Sequence, residues 1–265
     1  MKNLVFALLI ILSVLISSCS TTDYNKVDYT IEDTTYIYGN CDSLEIGCVE
    51  ISLSFLTLHD YKYKELNDSV NGSIKEFLYS SPFSEEGDLT FDALKNSIVD
   101  DYKKIKEDFP DSPVRYSYDR EITISTDTLN VFSLAFRGSN YFGGAHPNSF
   151  FGFANFDKTS GKEILLSQLL IDNYQNELDK AGEKIFRQIK GLSPSQNLNE
   201  AGYWFDNNKF ILNNNFLIAK TGLRFLFNQY EIAPYAEGIT IIEIPYSEIT
   251  GIIKKNGILS KLIRK

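Results

Sequence analysis

One short stretch constrains this chain more than any other. It is Tyr141-Phe142-Gly143-Gly144-Ala145-His146-Pro147-Asn148, set between two apolar, strand-like runs at 129–136 and 149–156. A Gly-Gly pair opens backbone angles closed to other residues. Pro147 fixes its own φ and pushes His146 towards an extended conformation. The chain must therefore break its regular structure here. The same eight residues hold two aromatics, an imidazole and an amide, more recognition-grade side chains than a bare turn needs. Two readings stay open: a binding loop, or an irregular β-connection whose His and Asn bond their own backbone.

Around this loop the pattern comes in blocks. Residues 34–38 read as a first strand, and Val49, Ile51, Leu53 and Phe55 alternate as one face of a half-exposed strand. Leu66, Val70, Ile74, Phe77 and Leu78 trace one face of a helix. Thr90 is placed to cap a second helix with the stripe Phe91, Leu94, Ile98, Tyr102 and Ile105, and Pro110 and Pro113 stop it. Beyond Val114 the runs are β-prone, at 115–117, 121–125, 129–136 and 149–156. A hairpin-like turn follows at 157–162. Asp157, Thr159, Gly161 and Glu163 faintly resemble a calcium loop, but the later oxygen ligands are missing, and a turn with Gly161 left-handed is the better reading.

Leu178, Ala181, Ile185, Phe186 and Ile189 mark a further helix. An Asn-rich segment leads to strands at 216–219, 222–227 and 238–244, and 247–255 reads as a closing helix capped by Ser247. Blocks of helices and strands, without βαβ alternation, predict an α+β fold with mainly antiparallel sheets and packed helices. Two interlocked subdomains are expected, 34–127 and 128–265, with the loop in the second.

The N-terminus addresses the compartment. A short charged start precedes residues 4–16, apolar except for Ser13 and too short to span a bilayer comfortably. The run ends Ile16-Ser17-Ser18-Cys19, which fits a bacterial lipoprotein processing box, so residues 1–18 are expected to be removed and Cys19 acylated. Ser20 after the cysteine favours an outer membrane where the cell has one. Residues 19–33, polar and without apolar period, read as a flexible tether. The expected location is extracytoplasmic, with the membrane reached through the lipid. The chain carries a net charge of −9, of which the leader contributes only Lys2. An acidic body is a poor partner for nucleic acid and favours cationic partners.

Cys41 and Cys48 form an even pair in an oxidising compartment and are expected to be disulfide-bonded. A metal site would need imidazole or thiolate ligands, and the chain has only His59 and His146. No metal or cofactor is expected. No Gly-x-Ser-x-Gly elbow occurs, a lone histidine is more often structural than a base, and no order of residues selects a carboxylate pair. Catalysis is therefore not expected. The tentative ligand-binding set is Tyr141, Phe142, Gly143, Gly144, His146, Asn148 and Tyr235. Tyr230-Glu231 and Pro234-Tyr235 offer a second candidate wall, although Tyr230 and Tyr235 also read as core and turn packing, and Glu231 as holding a buried hydrogen bond or an Arg partner such as Arg137.

The string from Phe142 to Asn148, with Asn155-Phe156-Asp157, Thr159–Lys162, Leu223–Phe227, Tyr230–Gly238 and Ile244-Pro245-Tyr246, resembles one bacterial envelope domain family of unknown function. That family also supplies the extracytoplasmic domain of the lysozyme-sensing anti-sigma-V factor and an accessory domain beside a peptidoglycan deacetylase. The upstream half resembles the partner domain that usually precedes it. The resemblance implies an α+β fold, an envelope location and a non-catalytic role: binding a peptidoglycan-related glycan or a glycan-acting protein such as lysozyme. A structural subunit of an envelope complex is the alternative, and a hydrolase acting on envelope glycan a weaker one.

Overall fold

The computed structural model describes residues 26–43, 47–83 and 87–263. The leader, Cys19 and the first part of the expected tether lie outside them.

A five-stranded sheet runs in the order β1 (Tyr29–Gly39), β2 (Cys48–Leu58), β3 (Arg115–Asp127), β4 (Val131–Tyr141) and β5 (Asn148–Asp157). Neighbours are antiparallel except β2 and β3, which are parallel because two helices bridge them. These are α1 (Lys64–Tyr79) and α2 (Phe91–Asp108), whose buried stripes Leu66, Val70, Ile74, Leu78 and Leu94, Ile98, Tyr102 pack on Val49, Ile51 and Leu53 of β2. Thr90 caps α2, its hydroxyl accepting from the Ala93 amide at 3.2 Å.

The second layer is smaller. β6 (Phe216–Ile218), β7 (Gly222–Phe227) and β8 (Thr240–Pro245) form an antiparallel sheet. It shares a core with α4 (Gln175–Ile189), the single-turn α3 (Leu166–Leu169) and α5 (Ile258–Ile263). The molecule is thus α+β with mainly antiparallel sheets. Among the described residues no helix is long and apolar enough to cross a membrane.

Three expectations are corrected. Tyr29–Asp33, read as tether, belong to β1, because their register with Leu58–Ser54 extends the ladder beyond the short apolar signal. Residues 247–255 hold two short 3-10 turns, Tyr246–Glu248 and Thr250–Ile252, and the closing helix comes later, as α5. The division between subdomains does not fall at 127/128. Phe132, Leu134, Phe136 and Phe156 complete the first core, so β4, β5 and the loop between them belong to the large sheet. The second core takes over from Ile164 onward, with Val131 as its contact from β4.

Asparagines join the two layers. Asn155 on β5 is 2% exposed. Its amide nitrogen donates to the Phe216 carbonyl (2.7 Å), and its oxygen accepts from the Ile218 amide (2.9 Å) and the Ser133 hydroxyl (2.8 Å). Asn215 and Asn228 serve the free edge of β5: their oxygens accept from the Phe153 and Phe151 amides at 2.9 and 2.7 Å. Both also donate to the Phe151 carbonyl at 3.0 Å. Backbone groups that a further strand would satisfy are met by side-chain amides instead.

Candidate functional site

The loop is closed by β4 and β5, whose register pairs Ser139 with Ser149 and Asn140 with Asn148. Gly143 and Gly144 adopt φ of +88° and +109°, angles a β-carbon would strain. The Tyr141 hydroxyl donates to the Gly144 carbonyl at 2.8 Å and braces the turn from inside. Phe142 faces the other way, its ring 4.8 Å from Phe83 and 5.3 Å from Tyr116. Phe142 and Tyr141, expected among the ligand-binding residues, therefore act first as anchor and brace. The loop leaves Gly143, Gly144, Ala145, Pro147 and Asn148 exposed and His146 half-buried. The Asn148 amide makes no hydrogen bond among the described residues, so the reading in which it bonds its own backbone does not hold for it.

A second loop arrives from the small sheet. Between β7 and β8, Asn228–Glu231 form a turn closed by Glu231 N–H to the Asn228 carbonyl (3.2 Å) and by Asn228 N–H to the Glu231 carboxylate (2.8 Å). Tyr230, at its third position, has φ of +66°. The other non-glycine residues with positive φ among those described are asparagines, which tolerate it; a tyrosine there carries local strain of about 1 kcal/mol or more. The strain holds an aromatic ring 54% exposed. Of the core and turn packing expected for Tyr230, the turn is found and the core is corrected. Glu231 does not meet Arg137: it accepts from Asn213 (2.6 Å) and the Asn228 amide, while Arg137 pairs with Glu121 at 3.4 Å.

The two loops meet at His146. Its ring stacks on Tyr235 with centroids 4.0 Å apart and planes at 24°, and Tyr230 lies 6.2 Å away. The Tyr235 hydroxyl donates to the Pro147 carbonyl at 3.2 Å. The same carbonyl lies 3.0 Å from His146 Nδ1, and the Tyr230 hydroxyl 3.3 Å from Nε2. A carbonyl can only accept, so neutral His146 carries its proton on Nδ1 and accepts from Tyr230 at Nε2. Among the described residues no carboxylate is bonded to the imidazole. His59 stands at the far end of the sheet: Tyr141 pairs with Ser117 and Ser117 with Glu50, nine residues before it, about 30 Å along the strand. The cluster offers ring faces, hydroxyls and an amide on an open surface, a set suited to stacking and hydrogen bonding.

The loops come from parts of the chain with different relatives. Two family models divide the chain between them. Residues 44–149 match the one described as deacetylase PdaC, and residues 167–247 match the protein of unknown function DUF3298. His146 lies in the PdaC-like part, Tyr230 and Tyr235 in the DUF3298-like part, so the cluster bridges both. This corrects the reading of the strings as one family: the Gly-Gly-Ala-His-Pro-Asn string falls within the PdaC match.

A DUF3298 family protein from Bacteroides fragilis has a similar structure, with a TM-score of 0.73 at 19% identity, covering 91% of this chain and 100% of that one. One from Pseudomonas aeruginosa gives 0.61 at 16%, covering 87% and 95%. The likeness establishes the shared fold. No curated protein matches the chain.

Of the other expected sites, Cys41 and Cys48 are disulfide-bonded. Asp157 is a turn residue: its Oδ1 accepts from the Thr159 and Ser160 amides at 3.0 and 2.8 Å while Gly161 takes φ of +67°. No group of three or more potential metal ligands occurs among the described residues. Tyr230 was open to two readings, a second candidate wall or core and turn packing, and the structure leaves it exposed beside His146. Its signal was faint, a tyrosine inside an Asn-Gln-Tyr-Glu turn with no apolar period to place it inward.

Proposed function

We propose that this protein is a lipid-anchored, extracytoplasmic binding module of the bacterial envelope. It recognises a peptidoglycan-related glycan or a glycan-acting protein such as lysozyme, without catalysis. One observation carries the reading: Tyr230 is held exposed at a backbone angle unfavourable for tyrosine, beside the stacked His146–Tyr235 pair. Strained backbone angles cluster at functional sites, and a ring held in place in this way loses little freedom on binding. Rings give contact area at low entropy cost, and their polar tips fix orientation. The Cys41–Cys48 bond supports an oxidising compartment, and the PdaC-like match supports an envelope setting.

The test is retention of the secreted chain on immobilised peptidoglycan fragments and on lysozymes, with binding measured by calorimetry. Exchanging His146 and Asn148 together for Ala is expected to leave the melting temperature within a few degrees and to weaken binding about tenfold or more. Retention on neither matrix, or a double variant that binds normally, overturns the reading. Retention on neither matrix would favour the structural-subunit alternative.

A further inference from the structure

A concavity lies at the other end of β4. A cleft of about 1030 Å³ opens between the last residues of β3, the β6–β7 turn and α5. It is separated from His146 by roughly the length of β4, about 30 Å. Its volume is at the upper end of the ~300–1,000 Å³ range of small-molecule sites. Leu129, Leu217, Leu262 and Ile263 make an apolar wall. Leu129 and Ile263 remain 37% and 42% exposed, which leaves apolar surface uncovered at the mouth.

Two of the cations at the cleft have no carboxylate partner among the described residues. Lys26 is held there by donating to the Asp127 carbonyl at 3.0 Å, and Lys220 makes no ion pair or hydrogen bond among the described residues. The Asp127 carboxylate is already engaged by buried Lys158, and Arg224 is matched by Glu243 at 2.8 Å. Two uncompensated cations therefore border the cleft of a protein whose net charge is −9. The Thr128 hydroxyl, which also lines it, is buried with no hydrogen-bond partner among the described residues.

We propose that this cleft binds a single-chain anionic amphiphile: an acyl chain along the leucine wall, with its carboxylate or phosphate between Lys26 and Lys220. The Thr126, Thr221 and Tyr246 hydroxyls that also line the cleft are spent on the Ile218 carbonyl, the Glu243 carboxylate and the Ala219 carbonyl, so the apolar wall and the two cations are what a ligand meets, and a bare anion has no use for the wall. The site is independent of the His146 cluster and of what that cluster recognises.

The test uses the chain from Cys19 onward, without its acyl groups, titrated with monomeric palmitate and, in parallel, with hexadecanol, acetate and phosphatidylglycerol vesicles. Saturable one-to-one binding of palmitate is expected, with hexadecanol about tenfold weaker and acetate silent. Lys220→Glu and Leu129→Asp, both at exposed positions, are each expected to weaken palmitate about tenfold with the melting temperature unchanged, and His146→Ala to leave it unaltered. Failure to bind palmitate overturns the proposal. So does hexadecanol binding as well as palmitate, binding to vesicles alone, or indifference to Lys220→Glu.

Discussion

The PdaC-like and DUF3298-like parts satisfy their backbones in different ways. In the first, long strands and two helices pair main chain with main chain over a core that mixes aliphatic side chains such as Val49, Ile51, Leu66 and Ile98 with the buried rings of Tyr118 and Phe132. In the second, 190–215 contains only one 3-10 turn, yet buries Leu198, Tyr203, Phe205, Phe210 and Leu212 around Phe186. There, side-chain amides do what ladders do elsewhere. Asn208 accepts from the Leu198 amide at 2.6 Å, Asn199 from Phe205 at 3.2 Å, and buried Asp179 from Leu212 at 3.0 Å. Asn207 and Asn208 also take φ of +54° and +56°, which few other side chains accept. An irregular segment can enter a core when its own side chains replace the missing strand partners.

The comparison breaks most directly at Phe186. This fully buried ring touches Tyr203, Phe205 and Phe210, with centroids 4.9–5.6 Å away. Phe186→Ala is expected to cost about 3–5 kcal/mol in urea unfolding. If the parts are energetically separate, circular dichroism will then show two transitions, the large sheet surviving the first. Asn155→Ala comes next. It strips partners from the Phe216 carbonyl, the Ile218 amide and the Ser133 hydroxyl, at a cost of about 3 kcal/mol. A loss under 1 kcal/mol would show that the asparagine links are incidental.

Third in size is the Cys41–Cys48 bond, which closes a loop across a sequence separation of 7 at the end of the large sheet. Replacing both cysteines by Ser should cost about 2.5 kcal/mol. The loss should appear only in the unfolding of the PdaC-like part, and equal loss in both parts would show them to be one cooperative unit. Tyr230→Asn is expected to act in the opposite direction. Relief of the left-handed strain should stabilise the protein by about 1 kcal/mol while weakening ligand retention. A variant that is less stable would mean that the tyrosine ring packs better than its exposure implies.

The smallest effects separate the parts by pH. In the large sheet, burial and then the neighbouring Glu50 carboxylate push the Asp119 carboxyl above its ordinary 3.8. The native state holds that proton longer, so the contribution favours folding below 3.8 and is lost as pH rises through the folded value. In the small sheet, the hydrogen bond from Arg224 holds Glu243 below its ordinary 4.5. Its contribution is present above 4.5 and lost as pH falls through the folded value. Glu243 is open to solvent, so that loss should be only a few tenths of a kcal/mol. Asp119→Asn and Glu243→Gln should tilt the acid limb of the stability curve in opposite senses, and tilts of the same sign would contradict this assignment.

Much of the first part was legible because its cause is local. The four-three spacing from Leu66 to Leu78, the Thr90 cap and the alternation from Val49 to Phe55 each express one element burying one face. The Gly143-Gly144 turn was legible for the same reason. The second part hid its order, since an asparagine that bonds a distant amide looks like an asparagine in any loop. The candidate site was half-legible. His146 and Asn148 stood out within their own loop, whereas Phe142 proved an anchor and Tyr230 a surface residue, distinctions that depend on neighbours far along the chain.

Periodicity, turn chemistry and the cysteine pair fixed the α+β class and the elements, because each acts within about a dozen residues. The contact of His146 with Tyr230 and Tyr235 was decided by the tertiary structure. It follows from Asn215 and Asn228 clasping the free edge of β5, which draws the β7–β8 loop over the β4–β5 loop. Such a clasp joins groups more than sixty residues apart and leaves no period in the sequence.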